Sequence, residues 1–148
     1  MAGIEREATC VWVGDLAHGT GRLSAASSVA FNGLALSLPT RIGQPGDQTS
    51  PEELLAAAHA GCFAMALTSV LTHAGVPPGR LDVACRVRVD EEPERGFRVA
   101  ASSLAVRAEV DGLARDVLEA ALAAADAACP YTALLREAGA AVDVAIAD

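Results

Sequence analysis

The chain of 148 residues carries 19 acidic and 11 basic side chains, a formal net charge of −8, which disfavours nucleic acid and anionic membrane surfaces as partners by plain repulsion. Its length fits one compact domain, since single domains run to about 100–200 residues, and residues 1–148 are expected to form one. With 52% hydrophobic but only 3% aromatic residues, the core must be built from Ala, Val and Leu, and such a core gains from packing against a second subunit.

The opening Met1-Ala2-Gly3-Ile4-Glu5-Arg6-Glu7 is charged and has no apolar run, so export has no support and a cytoplasmic location is expected. Residues 8–14, rich in β-branched and aromatic side chains, predict a strand, and Gly19 to Gly21 a turn into a second strand at 22–26. A third short strand is expected at Leu34–Leu38, with Pro39 and the run Gly43 to Gln48 marking a loop.

Ser50 followed by Pro51, Glu52 and Glu53 is a helix start: Ser caps, Pro suits the first turn, and carboxylates favour the positive helix end. This helix is expected to reach about His73, before Gly75 and Pro77-Pro78. Its apolar residues go round the whole cylinder, which predicts a central helix covered by sheet on one flank and by more protein, a second subunit, on the other. A buried helix explains the apolar stretch Leu54–Leu71 better than a membrane span, because His59, Thr68 and Ser69 interrupt it.

From Leu81 the pattern alternates, with Val83, Cys85, Val87 and Val89 on one face, and a second run covers Phe97–Val110, so an antiparallel pair about the polar turn Glu91–Gly96 is expected. Leu113–Ala128 predicts a helix closed by Pro130, followed by a short helix at Pro130–Arg136 and a last strand at Val142–Ile146.

The four cysteines, at 10, 62, 85 and 129, are too scattered for a disulfide scaffold, and with neither Cys-x-x-Cys nor His-x-x-x-His present no metal is expected. Cys10 and Cys85 fall on strands and read as core. Cys62 lies in the middle of the long helix, where a thiol is either an inert packing residue or, with a basic group and a second thiol nearby, the centre of two-cysteine redox chemistry. His59 shares roughly one helical face with Cys62 and reads as a core histidine rather than a proton acceptor. Cys129 precedes Pro130 at the start of the short helix, where the helix dipole favours a thiolate, so local electrostatics make it the better anion of the two. Arg41 stands in a loop setting, and Glu52 or Glu53 is placed to hold its guanidinium with a bidentate pair. Glu52 and Cys62 are about 15 Å apart along a straight helix, so Arg41 would have to bridge them. Leu54, Phe63 and Met65 are candidates for an apolar pocket, or plain core.

The stretch Thr49–Ala74, with Pro-Glu-Glu-Leu, Ala-Ala-His-Ala, Cys-Phe and Met-Ala-Leu in order, resembles the signature of the osmotically inducible/organic hydroperoxide resistance (OsmC/Ohr) family. The likeness extends to Trp12-Val13-Gly14-Asp15 with Gly19 and Gly21, to Pro39-Thr40-Arg41 and to Cys129-Pro130, and its wording is nearer the OsmC branch. The resemblance implies an α+β fold in which antiparallel sheets wrap long central helices in an intertwined homodimer. It also implies a cysteine-based peroxidase of peroxiredoxin type that reduces organic hydroperoxides, and hydrogen peroxide less well, without cofactor. Carried over by position, Cys62 is the peroxidatic cysteine, Cys129 the resolving cysteine, Arg41 the group that stabilises the thiolate and Glu52 its carboxylate partner. A dithiol reductant, a lipoyl-type dithiol being one candidate, would reset the pair. Two alternatives stay open: an OsmC-like stress-associated protein that binds small ligands with weak or no peroxidase activity, and a structural dimer with incidental thiols.

Overall fold

The computed structural model describes residues 3–148; Met1 and Ala2, which begin the charged opening, lie outside the described residues. The chain divides into two compact units, Met1–Leu54 and Leu55–Asp148. The fold is α+β, with one three-stranded sheet in each unit.

In the first unit β1 (Ala8–Val13), β2 (Thr20–Ala25) and β3 (Asn32–Leu36) form an antiparallel meander in that order. The β1–β2 connection closes on Trp12, whose indole N–H donates to Gly14 O at 2.9 Å. A side chain at Gly19 would strike the carbonyl oxygens of Asp15 and Val13 and the Trp12 ring nitrogen, so only glycine lets the chain pass there. Cys10, read from the sequence as core, is exposed, because every residue of β1 is exposed at this edge of the sheet.

The segment after β3 is not all loop. Ser37 caps a short helix, α1 (Leu38–Ile42): its Oγ accepts from the Thr40 N–H at 3.4 Å, and Pro39 sits in the first turn. Both signals lie in Ser-Leu-Pro and place Arg41 on a helical turn rather than on irregular backbone. Thr40 Oγ1 also donates to Gln48 Oε1 at 3.1 Å, tying the following loop to the turn.

α2 spans Pro51–His73, and its start follows the expected chemistry, with Ser50 Oγ accepting from Glu53 N–H at 3.1 Å. By length and composition it is apolar enough to cross a membrane, with a mean hydropathy of 1.8. Its fully buried residues, His59, Phe63, Leu67 and Leu71, recur every fourth position and make one stripe. Within the second unit that stripe packs with Leu104 and Val106 and with Ala121, Leu122 and Ala125. On the opposite side of the helix Met65 is 70% exposed.

β4 (Arg80–Glu92) and β5 (Gly96–Glu109) form the expected antiparallel hairpin, and α3 (Arg115–Ala128) and α4 (Pro130–Glu137) follow, bent by 65° at the intervening Cys129. β6 (Ala141–Ile146) pairs with β5 in parallel, so this sheet is mixed rather than wholly antiparallel. The cause is the α3–α4 crossover, which returns the chain to the end where β5 began. Along β5, Ala100, Ser102, Leu104 and Val106 are buried beneath the helices while Ala105 and Arg107 are exposed, the alternation expected of a sheet covered on one face.

Candidate active site

The predicted residues fall into two pairs, one in each unit. In the first unit, Arg41 on α1 meets Glu52 in the first turn of α2. Arg41 Nε donates to Glu52 Oε1 at 3.0 Å and Oε2 at 3.2 Å, and Nη2 donates to Oε1 at 2.5 Å. The side chains are only 30% and 17% exposed, so the fork is held in a partly desolvated setting where charge-assisted bonds fix orientation. Burial acts to raise the Glu52 carboxyl, but the hydrogen bonds and charge of Arg41, with backbone and Ser50 donors, bring it below its ordinary value. Glu53, the other acid considered, receives a hydrogen bond from Thr49 Oγ1 at 2.8 Å. The choice between the two glutamates is therefore made by helix phase: Glu52 faces α1.

In the second unit, Cys62 on α2 and Cys129 at the α3–α4 corner are brought together, near enough for the Cys129 side chain to act on the Cys62 thiol. Both are free thiols, Cys129 1% exposed and Cys62 half-buried. Cys129 is the N-cap of α4, as expected, but its side chain caps nothing. The backbone N–H of Tyr131, one of the donors that a helix start leaves without an internal partner, is directed to Cys62 instead. The N–H at this helix end thus serves the other sulfur. The net balance at Cys62 is still upward: burial pushes the thiol up, Cys129 adds to it, and the Tyr131 N–H works against both.

One turn before Cys62, His59 is the core histidine that the sequence suggested, with 0% exposure and a partner on each ring nitrogen. Nδ1 lies 2.7 Å from Ser102 Oγ and Nε2 3.0 Å from Thr132 Oγ1. Cys85 completes the cluster from β4, its Sγ 3.3 Å from Ser102 Oγ, and burial raises that thiol as well. Ser102 and Thr132 were not singled out from the sequence. A signal for Ser102 existed, since it is a hydroxyl on the apolar face of an alternating strand; Thr132 had none.

The proposed apolar pocket residues part company: Phe63 is sealed in the core at 0% exposed, and Met65 points outward. Among the described residues, no group of three His, Cys, Asp or Glu side chains is placed to hold a metal ion.

A family model described as OsmC-like protein matches residues 44–145. Peroxiredoxin OsmC of Escherichia coli (strain K12) is 34% identical over 134 residues, covering 90% of this chain and 91% of that protein. The crystal structure of an organic hydroperoxide resistance protein OsmC from Legionella pneumophila superposes with a TM-score of 0.76 at 26% identity, covering 100% of both chains. The organic hydroperoxide resistance protein OhrB of Bacillus subtilis, at 23% identity and a TM-score of 0.72 over 95% of this chain and 98% of its own, shares the fold.

Proposed function

Because the chain belongs to the OsmC-like protein family, whose named relatives include a peroxiredoxin and organic hydroperoxide resistance proteins, we propose that it is a thiol peroxidase acting on organic hydroperoxides. The observation that carries this reading is the close approach of Cys62 and Cys129, two thiols 67 residues apart in the sequence.

In the proposed cycle the Cys62 thiolate attacks the outer peroxide oxygen. An S–O bond forms as the O–O bond breaks, the alkoxide leaves and takes up a proton, and Cys62 becomes a sulfenic acid. The Cys129 thiol then attacks the Cys62 sulfur; a disulfide forms and water leaves. A dithiol reductant returns both thiols and is itself oxidised to a disulfide. Arg41, oriented by Glu52, is assigned to favouring the thiolate and polarising the O–O bond. That assignment answers a need, because burial and the neighbouring thiol both push Cys62 away from the reactive form. We further propose that the protein works as a homodimer, with the uncovered side of α2 packed against a second copy, in a reducing compartment such as the cytoplasm.

The raised Cys62 thiol also favours a second reading, an OsmC-like ligand-binding protein with little peroxidase activity. Titration of the reduced protein with cumene hydroperoxide separates the two. The enzyme should rapidly lose two of its four thiols, and Cys62→Ser should abolish the loss. Reaction no faster than that of free cysteine overturns the peroxidase.

A further inference from the structure

α4 carries two groups that meet the Cys62 sulfur, the Cys129 side chain at its N-cap and the Tyr131 N–H in its first turn. What holds that turn in place is therefore a question about the chemistry. The far end of α4 is tied by Arg136, which donates to Asp126 Oδ2 on α3 at 2.8 Å and to Val142 O on β6 at 3.3 Å. The near end is tied by Thr132, the residue after Tyr131, through its 3.0 Å hydrogen bond to His59 Nε2. His59 is in turn fixed by Ser102 on β5, 2.7 Å from Nδ1. One buried imidazole thus joins α2, β5 and α4, three residues before Cys62 and three residues from Cys129 through Thr132.

An apolar side chain would fill the same space, and dispersion forces would hold it without choosing a direction. A hydrogen-bonded imidazole with both nitrogens satisfied sets rotation and register, and a buried polar network that is fully paired rigidifies its surroundings. We propose that His59, acting through Thr132, is a positioning residue that fixes the first turn of α4 over Cys62 and so sets the rate at which Cys129 closes the disulfide. This rests on the peroxidase reading for the source of the sulfenic acid. His59 exchanges no proton in the step: the Cys129 thiol displaces the sulfenic hydroxyl as water, and the S–S bond forms.

Three variants test it: Thr132→Val, which keeps shape and removes the hydroxyl; Thr132→Ser, which keeps the hydroxyl; and His59→Phe, which fills the core without either hydrogen bond. Circular dichroism establishes that each is folded. With one equivalent of cumene hydroperoxide, quenched samples are analysed by mass spectrometry for dimedone-trapped Cys62 sulfenic acid and for the Cys62–Cys129 disulfide. Thr132→Val and His59→Phe should close the disulfide more slowly, on the order of tenfold to a hundredfold for a misplaced reacting group, and should accumulate sulfenic acid and, with excess peroxide, sulfinic acid. Thr132→Ser should close at the wild-type rate. Closure at the wild-type rate in Thr132→Val, or a Thr132→Ser variant as slow as Thr132→Val, overturns the proposal. Should wild-type protein fail to consume peroxide, the peroxidase reading falls, and diamide-driven closure of the same two thiols gives the same comparison of variants without any peroxide.

Discussion

At the scale of single residues, the first unit holds a guanidinium gripped by a carboxylate, and the second holds a thiol whose own surroundings oppose its ionisation. If Arg41 has the role proposed for it, Arg41→Ala should lower the rate of Cys62 oxidation by about 10²-fold or more, the cost of removing one preorganised charge-stabilising donor, and should shift the pH–rate profile to higher pH. Arg41→Lys, which keeps the charge but not the fork that Glu52 grips, should recover only part of that loss. Stopped-flow measurement of thiol loss against pH checks both. His59 has a different pH signature. Burial holds its imidazole below the ordinary value, with Asp126 acting upward and Arg136 downward, while the neighbouring Cys85 thiol is itself pushed up. The folded state thus keeps His59 neutral where the unfolded chain would protonate it, so the unfolded state binds more protons in that window. Stability is full above the unfolded value of about 6.5 and falls as pH drops from there towards the lower folded value. Urea denaturation from pH 7 to pH 5 should show this decline, and His59→Phe should flatten it.

At the scale of elements, α2 shows how one helix serves two purposes with different faces. Its buried stripe of Phe63, Leu67 and Leu71 contributes to the core of the second unit, and His59 continues the stripe as a polar tie. Leu67 is 0% exposed and packed in the same core cluster as the other two. Leu67→Ala should cost about 2–5 kcal/mol, the range for large-to-small changes in packed cores, measured as a lower urea midpoint with little change in slope. Cys62 stays only half-buried on this helix, packed against the edge of the core. The α3–α4 corner then delivers Cys129. Its 65° bend follows from Pro130, which cannot continue α3 and is at home in the first turn of α4.

At the scale of the whole molecule, Met65 on the side of α2 opposite the buried stripe is an exposed apolar residue, and the proposed homodimer would cover it. Light scattering should give twice the 15.0 kDa chain mass at micromolar concentration. Met65→Lys, placing a charge on that side, should shift the population to monomer; a wild-type monomer at that concentration would overturn the dimer. The excess of acidic over basic side chains works against nonspecific contact with anionic surfaces and leaves such an interface to be built from shape and apolar area.

Much of this protein is determined locally and could be read from the chain. The Ser50-Pro51-Glu52-Glu53 start of α2, the alternation along β4 and β5, and the Cys129-Pro130 stop and restart all depend on backbone chemistry within a few residues, which is why their positions were legible. Arg41, Glu52, Cys62 and Cys129 could be named through the family wording around them, and a pairing of Arg41 with Glu52 or Glu53 was anticipated from their place at a helix start. Other features were settled only when distant segments met. The Tyr131 N–H turned to Cys62 rather than to the Cys129 side chain, Ser102 and Thr132 closed on His59 from 43 and 73 residues away, and β6 ran parallel to its neighbour. None of these is encoded by propensity or spacing, because each depends on which groups a crossover and a strand register bring within about 3 Å, the range of a hydrogen bond.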